Sequence, residues 1–360
     1  MEKIKIGIVG AGAVGGVISA LLSEKGYDVE VAKRYNSDIV LDNYVNLEIT
    51  GAFGNKNVLV KAVNGVNGFT SKKDIIFVLT KAYDAADVAK QSLKYLNENG
   101  IIVSSQNVMN VEQMLKTVGT NRLFALIINW TATRHNKASM EVTKPGNMIV
   151  GNFGHESESY LAIMQNVLSC IAPTEISSNI IGDIWSRTII NSIIGSLGAL
   201  TGYNLGTTMM VPNAKKTINR LIFEDMKLAK SLKVKVKNYG SLDYYKFVDS
   251  GLDAWLYRRR ILRRLRKKNG KVVSSLMTSI ENNVKSEIDY LNGYFIHLGK
   301  QLSIATPVNH RIYFMVKEIE DGKRSMMIEN LIDKHLLKPK KYEKQTSGKV
   351  VEVKNDNWWN

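Results

Sequence analysis

The sequence predicts an α/β chain in two parts: an N-terminal doubly wound, parallel-sheet domain followed by an all-helical C-terminal domain. Three observations carry this. A strand, a glycine turn, a helix and a second strand fill Lys3 to Arg34; apolar runs of strand length then alternate with helical patterns as far as residue 178; and from Ile180 onward only helical spacing recurs. The implied domains are residues 1–178 and residues 179–333, the second holding a basic insert at 239–271, with a basic, flexible tail at 334–360.

The opening unit is built for a dinucleotide. Ile4, Ile6, Ile8 and Val9 form a short strand that runs into Gly10-Ala11-Gly12-Ala13-Val14-Gly15, and Val17, Ile18, Leu21 and Leu22 continue at helical spacing. In a Rossmann-type fingerprint the first glycine allows the tight turn, the second admits backbone to the pyrophosphate, and the third lets helix and strand pack closely. The phosphates would rest on amides at the helix N-terminus, where the dipole favours negative charge. The second strand ends in Lys33-Arg34 in place of an acidic residue that would bind the ribose 2′-hydroxyl. Two cations suit a 2′-phosphate, so the expected cofactor is NADPH/NADP.

Residues 46–50 and 58–63 alternate across Gly51–Asn55 and predict a hairpin. Asp74 to Thr80 reads as a strand buried on both faces, followed by a helix through Val88, Leu93 and Leu96; Lys81 falls at the strand's carboxyl end, where doubly wound folds bind ligands. Gly100 to Ser104 is another strand and leads to Asn107, which can bond a cofactor, a substrate oxygen or its own backbone. Strands at 123–129, 139–143, 148–152 and 174–176 and a helix at 157–170 complete the domain. Ile180 to Ala199 is apolar nearly all round, as for a helix buried between the domains, with Arg187 and Asn191 four apart on one face. Asp183, also four away, offers Arg187 an ordinary ion pair. Further helices are expected at 213–232, 274–283, 286–303 and 308–320. No cation shares the helical face of Glu287, which leaves its carboxylate either solvated or held for a ligand.

Composition narrows the class. A 44% hydrophobic content over 360 residues suffices for two cores. The single cysteine, Cys170, excludes an intrachain disulfide, and with five scattered histidines it gives no metal-ligand spacing. No signal sequence or transmembrane run is read, so a cytoplasmic location is expected. The net charge of +16, from 49 Lys+Arg against 33 Asp+Glu, gathers in three stretches, one being a basic amphipathic helix at 252–268. That helix can cover the second domain with Leu252, Trp255, Leu256, Leu262 and Leu265 inward and its arginines in water, or it can meet an anionic partner.

Taken together, the residues resemble the ketopantoate (2-dehydropantoate) 2-reductase family over roughly Lys3 to Lys323. The resemblance rests on GAGAVGG with Arg34, Thr80-Lys81-Ala82-Tyr83, Asn107, Trp185 to Asn191, Ser274-Ser275, EIDYLNG from Glu287, and Thr306-Pro307-Val308-Asn309. It implies a Rossmann domain and a helical domain with the substrate in the cleft between them, a homodimer, and NADPH-dependent reduction of 2-dehydropantoate to pantoate in pantothenate synthesis. By that resemblance the catalytic group comprises Arg187, Lys81 and Glu287, substrate contacts come from Asn191, Ser275 and Asn107, and the cofactor is held by Gly10 to Gly15, Arg34, Lys81, Asn107 and Glu287.

Three positions depart from the family pattern: a general-acid lysine is matched by Arg187, an asparagine by Gly195 and an aspartate by Ser279. A guanidinium keeps its proton, so Arg187 can clamp a carboxylate or polarise a carbonyl but donates protons poorly. Lys81 or water would then supply the proton. The departures open two alternatives: a related reductase acting on another 2-oxo acid or derived imine, and a non-catalytic nucleotide-binding interaction protein.

Overall fold

The computed structural model of the protein describes residues 3–33, 43–154 and 158–337. Arg34 and the tail from residue 338 lie outside them. The chain divides into two units, Met1–Ile180 and Ile181–Asn360.

The first unit contains β1 (Lys5–Val9), α1 (Ala13–Glu24), β2 (Asp28–Lys33), β3 (Tyr44–Gly51), β4 (Lys56–Asn64), β5 (Lys73–Val78), α2 (Ala82–Ser92), β6 (Leu96–Ser104) and α3 (Val108–Val118). After them come β7 (Leu123–Ile128), β8 (Thr131–Arg134), β9 (Ser139–Lys144), β10 (Met148–Asn152), α4 (Glu158–Ser169) and β11 (Thr174–Ile176). They form one eleven-stranded sheet ordered β11-β10-β7-β6-β5-β1-β2-β4-β3-β9-β8. Its inner strands β4-β2-β1-β5-β6-β7 are all parallel, the doubly wound order of dinucleotide-binding domains, with the order of strand addition reversing between β1 and β5. Ile6, Ile8, Val31, Phe77, Val103 and Phe124 are buried along these strands, as covering both faces of a parallel sheet requires.

The hairpin β3–β4 forms in the expected place, antiparallel from Tyr44↔Lys61 to Ile49↔Lys56. Two details differ from expectation. The helix after β5 ends at Ser92 and tightens into a 3-10 turn at Leu93–Tyr95, because Leu96 is already paired with Lys73 at the start of β6. Strand β8, four residues with no buried member, was not anticipated; it is held antiparallel to β9, which is itself parallel to β3.

The second unit is helical: α5 (Ile180–Thr201, beginning at the unit boundary), α6 (Leu205–Thr208), α7 (Pro212–Ser231), α8 (Leu252–Asn269), α9 (Ser275–Glu281), α10 (Asn292–Gln301), α11 (Pro307–Glu320) and α12 (Lys334–Leu337). Where one helix was expected over 286–303, there is a 3-10 turn at Ile288–Tyr290, a break at Leu291 (φ −112°, ψ −97°) and then α10. Glu287 therefore precedes the 3-10 turn, and the helical neighbours assigned to it do not apply. Helix α8 also departs from its expected orientation: Ala254, Ile261, Leu262 and Leu265 are buried, whereas Leu252, Trp255 and Leu256 are exposed.

A buried polar network ties α7, α10 and α11 together. Glu224 accepts the Val308 and Asn309 backbone N–H groups at 2.8 and 3.0 Å and so caps α11 from a distance. Asn309 Nδ2 donates to Glu224 and to Asp225 Oδ1 at 3.0 and 2.9 Å, while Asn292 Nδ2 donates to Asn309 Oδ1 at 2.9 Å. Among the described residues no helix is long and apolar enough to cross a membrane, and no cluster of His, Cys, Asp and Glu could hold a metal.

Candidate functional site

In the first unit the parallel strands end at a common edge, and three helices begin there. Their N-cap residues are Gly12 for α1, which has no side chain to cap with, and Lys81 for α2 and Asn107 for α3, neither of whose side chains makes a capping bond. Gly10 (φ 109°) lies against the end of β5: a side chain there would have its Cβ 2.6 Å from the Leu79 carbonyl carbon, and Leu79 N–H donates to Val9 O at 2.8 Å. A Cβ at Gly15 would strike the Gly10 carbonyl oxygen. Nothing lies within 4 Å of where a Cβ would stand at Gly12. The three glycines thus serve a strained turn, a tight helix packing and an open approach, and the α1 amides face an exposed edge with no acidic residue in the first turn.

Polar groups of β5 and β6 meet at the same edge. Gln106 Nε2 donates to Thr80 O at 2.9 Å, and Asn110 Nδ2 to Gln106 Oε1 at 2.9 Å. Thr80 Oγ1 and Ser104 Oγ are buried without a hydrogen-bond partner. Orphaned hydroxyls beside helix N-termini fit a polar ligand such as a dinucleotide. Lys81 and Asn107 are half-buried here, as a place at the carboxyl edge requires.

A group of cations stands beside the glycine loop, and the sequence pointed to only part of it. Arg134, on β8, donates from Nη1 to the Ala11 carbonyl at 3.0 Å. Lys33 at the end of β2 is buried, and its ammonium is pushed below the ordinary lysine range, first by burial and then by the charges of Arg134 and Lys137. Like charges repel, so the grouping suits a multiply charged anion. No local pattern marks Arg134: it reaches Ala11 across 123 residues of sequence, through the pairing of β8 with β9 and β9 with β3.

In the second unit α5 is buried after Ile181 except along one stripe, where Asp183, Arg187, Asn191 and Ile194 are half-exposed at helical spacing. Arg187 forms no ion pair among the described residues, so the alternative of a pairing with Asp183 is not realised. Buried Trp185, two residues away, fixes this part of α5 by packing against Tyr294 and Phe295 with ring centroids 6.1 and 6.0 Å apart.

The other positions expected here divide between packing and surface. Ser274 Oγ accepts from Met277 N–H at 3.1 Å, capping α9, and donates to Gly195 O at 2.7 Å. A Cβ on Gly195 would lie 3.1 Å from Leu276 Cδ1, and one on Gly198 would strike Ser274. Gly195 is thus where α9 closes on α5, and Ser279, also on α9, is buried. Ser275 is exposed at the start of α9, and Glu287 is half-buried ahead of its 3-10 turn.

The model for the family described as ketopantoate reductase PanE/ApbA matches residues 6–155, and that for its C-terminal domain matches residues 179–320. Relatives named 2-dehydropantoate 2-reductase include one from Pyrococcus abyssi, 26% identical with 89% of this chain and 100% of the relative covered, and one from Aquifex aeolicus, 24% identical with 88% and 97% covered. Among solved structures, a 2-dehydropantoate 2-reductase from Geobacter metallireducens GS-15 shares the fold at TM-score 0.75 and 18% identity, covering 88% of this chain and 99% of the other. D-mandelate dehydrogenase, in a ternary structure with NADH and anilino(oxo)acetate, does so at TM-score 0.76 and 19% identity, covering 89% and 99%. With both family models matched in order around a dinucleotide-type glycine loop, this chain belongs to the ketopantoate reductase PanE/ApbA family of nicotinamide-dependent oxidoreductases.

Proposed function

We propose that this protein reduces a 2-oxo acid to the 2-hydroxy acid with NADPH, and that ketopantoate is the substrate. The observation that carries the cofactor reading is the grouping of Lys33, Arg134 and Lys137 beside the Gly10–Gly15 loop. These cations would hold the 2′-phosphate, together with Arg34, while the α1 amides hold the pyrophosphate. Bound NADPH supplies a hydride to the carbonyl carbon; the protein's own groups govern the substrate and the proton.

Arg187 stands on the polar stripe of α5 without an ion pair, and its fork of donors can bind the substrate carboxylate or polarise the carbonyl. Its proton is not released near neutral pH, so the alkoxide is protonated by Lys81 or by water. Asn191, Ser275, Asn107 and Glu287 complete the proposed contacts to substrate and cofactor. A homodimer is proposed as well, by analogy with the dimeric ketopantoate reductase of Staphylococcus aureus.

A second reading, a reductase of another 2-oxo acid on the same fold, is favoured by Arg187 and by Gly195, whose place is taken up by helix packing. The test is oxidation of NADPH with ketopantoate beside a panel of 2-oxo acids, with and without amines. Selective formation of pantoate supports the first reading. Silence with ketopantoate and turnover of another acid supports the second, and NADPH binding without any turnover contradicts both.

A further inference from the structure

Helix α8 carries eight cations against one carboxylate, Asp253, and its burial is arranged so that most of this charge is presented outward. Ala254, Ile261, Leu262, Leu265 and Asn269 form its buried face. On the opposite face Leu252, Leu256, Arg259, Arg263 and Lys267 succeed one another at helical spacing, flanked by Trp255, Arg260 and Arg264. This face therefore begins apolar and continues basic. Leu252, Trp255 and Leu256 are 69%, 48% and 49% exposed. Arg259 lies over the Trp255 ring at 5.4 Å, and Arg258 is spent on the Lys246 and Asp249 carbonyls at 2.8 and 2.9 Å. Among the described residues Arg260, Arg263, Arg264 and Lys267 form no ion pair. The nearby acids are engaged locally, Asp249 with Lys246 at 3.5 Å and Asp243 with the Tyr245 N–H at 2.9 Å.

We propose that this face of α8 docks on an anionic phospholipid surface. The charge is complementary to lipid phosphates, and a second copy of the same face would repel it. The apolar start distinguishes a lipid from a nucleic acid. A polyphosphate backbone would engage the arginines and leave Leu252 and Leu256 without a partner, whereas a bilayer takes leucine and tryptophan at the acyl boundary while the cations meet the headgroups.

The test is cosedimentation of the full-length protein with phosphatidylglycerol-rich vesicles and with pure phosphatidylcholine vesicles, across a salt series. Binding to the anionic vesicles alone, released by salt, is expected. The variant R260Q/R263Q/R264Q/K267Q should lower the partition coefficient by about 600-fold, at roughly fivefold for each cation removed. L252S/W255S/L256S should lower it by at least about tenfold while the salt dependence is kept. Both variants change exposed residues, and retained nicotinamide-linked turnover shows that they fold. Failure to bind anionic vesicles at low salt would overturn the proposal. So would a quadruple-glutamine variant that binds as tightly as the wild type, which would assign the affinity to other basic segments. Binding of duplex DNA or RNA without binding of vesicles would overturn it in favour of a polyanion site.

Discussion

Glu30 in the first unit and Glu224 in the second are buried to nearly the same degree, 1% and 6% exposed, yet they sit at opposite ends of the proton scale. Glu30 meets Lys61 at 2.7 Å and Lys73 at 2.8 Å and also accepts from Thr70, and its carboxyl is pulled down to about 2 although burial alone would raise it. Glu224 meets only amide donors at close range, and burial pushes it up to about 7. Its neighbour Asp225, fully buried with Oδ2 unpartnered, is raised as well, first by burial. The partner supplied, rather than the burial, sets the charge.

The same contrast separates the functional residues. In the first unit cations are gathered until they repel, the grouping proposed to hold a phosphate; in the second, Arg187 stands without an ion pair on a helix otherwise closed by packing.

The largest effect should come from breaking the Glu30 pairing. Lys73 is fully buried, so Lys73→Met should cost about 3–5 kcal/mol in urea unfolding at neutral pH. A loss below about 1 kcal/mol would mean that Lys61 alone sustains Glu30.

Next comes the pH dependence, with opposite signs in the two units. The folded pKa of Glu30 lies below its ordinary 4.5, so its stabilisation is full above pH 4.5 and is lost as pH falls toward about 2. Glu224 is the reverse: its folded pKa lies above 4.5, so its contribution declines as pH rises from 4.5 through about 7. Each shift corresponds to about 3 kcal/mol. Denaturation across this range should show the alkaline decline in the wild type and a flatter profile in Glu224→Gln; an unchanged slope in the variant would place the titrating group elsewhere.

Arg187→Ala should lower kcat/KM for the 2-oxo acid by roughly 10- to 100-fold, the worth of a charge-assisted contact, without changing NADPH affinity. An equal loss in NADPH binding would show a structural role. The smallest effect is expected from Arg134→Ala and Lys137→Ala. Each should narrow the preference for NADPH over NADH by about tenfold, and Lys137→Ala should leave the NADH constants unchanged. Direct calorimetry with 2′,5′-ADP against 5′-AMP checks this apart from turnover, and an unaltered ratio would remove Arg134 and Lys137 from the 2′-phosphate site.

Legibility in the sequence followed the range of the interactions. The glycine loop and Lys81 are local signals, a strand running into a turn and a helix, and the structure puts them at one edge. Arg134 was hidden because β8 is short, polar and exposed, and its place depends on two strand pairings distant in sequence. The break at Leu291 was hidden for the opposite reason: apolar spacing continues across it, and the buried Asn292–Asn309 bond marks the helix that starts afterwards. Gly195, which departs from the family's asparagine, is also a packing position, and only the approach of Leu276 reveals that second role. Apolar character alone groups Leu252, Trp255 and Leu256 inward with Leu262 and Leu265, yet at helical spacing Leu252 and Leu256 fall on the face opposite Ile261 and Leu265, and all three are exposed.

The most direct measurement is isotope transfer: the protein is incubated with ketopantoate and NADPH deuterated at the transferable position of the nicotinamide, and the product is analysed by mass spectrometry. Pantoate carrying one deuterium on C2, formed faster than with deuterated NADH, is the predicted result. Unreduced ketopantoate, or pantoate without the label, would contradict the proposal that this chain reduces ketopantoate with NADPH.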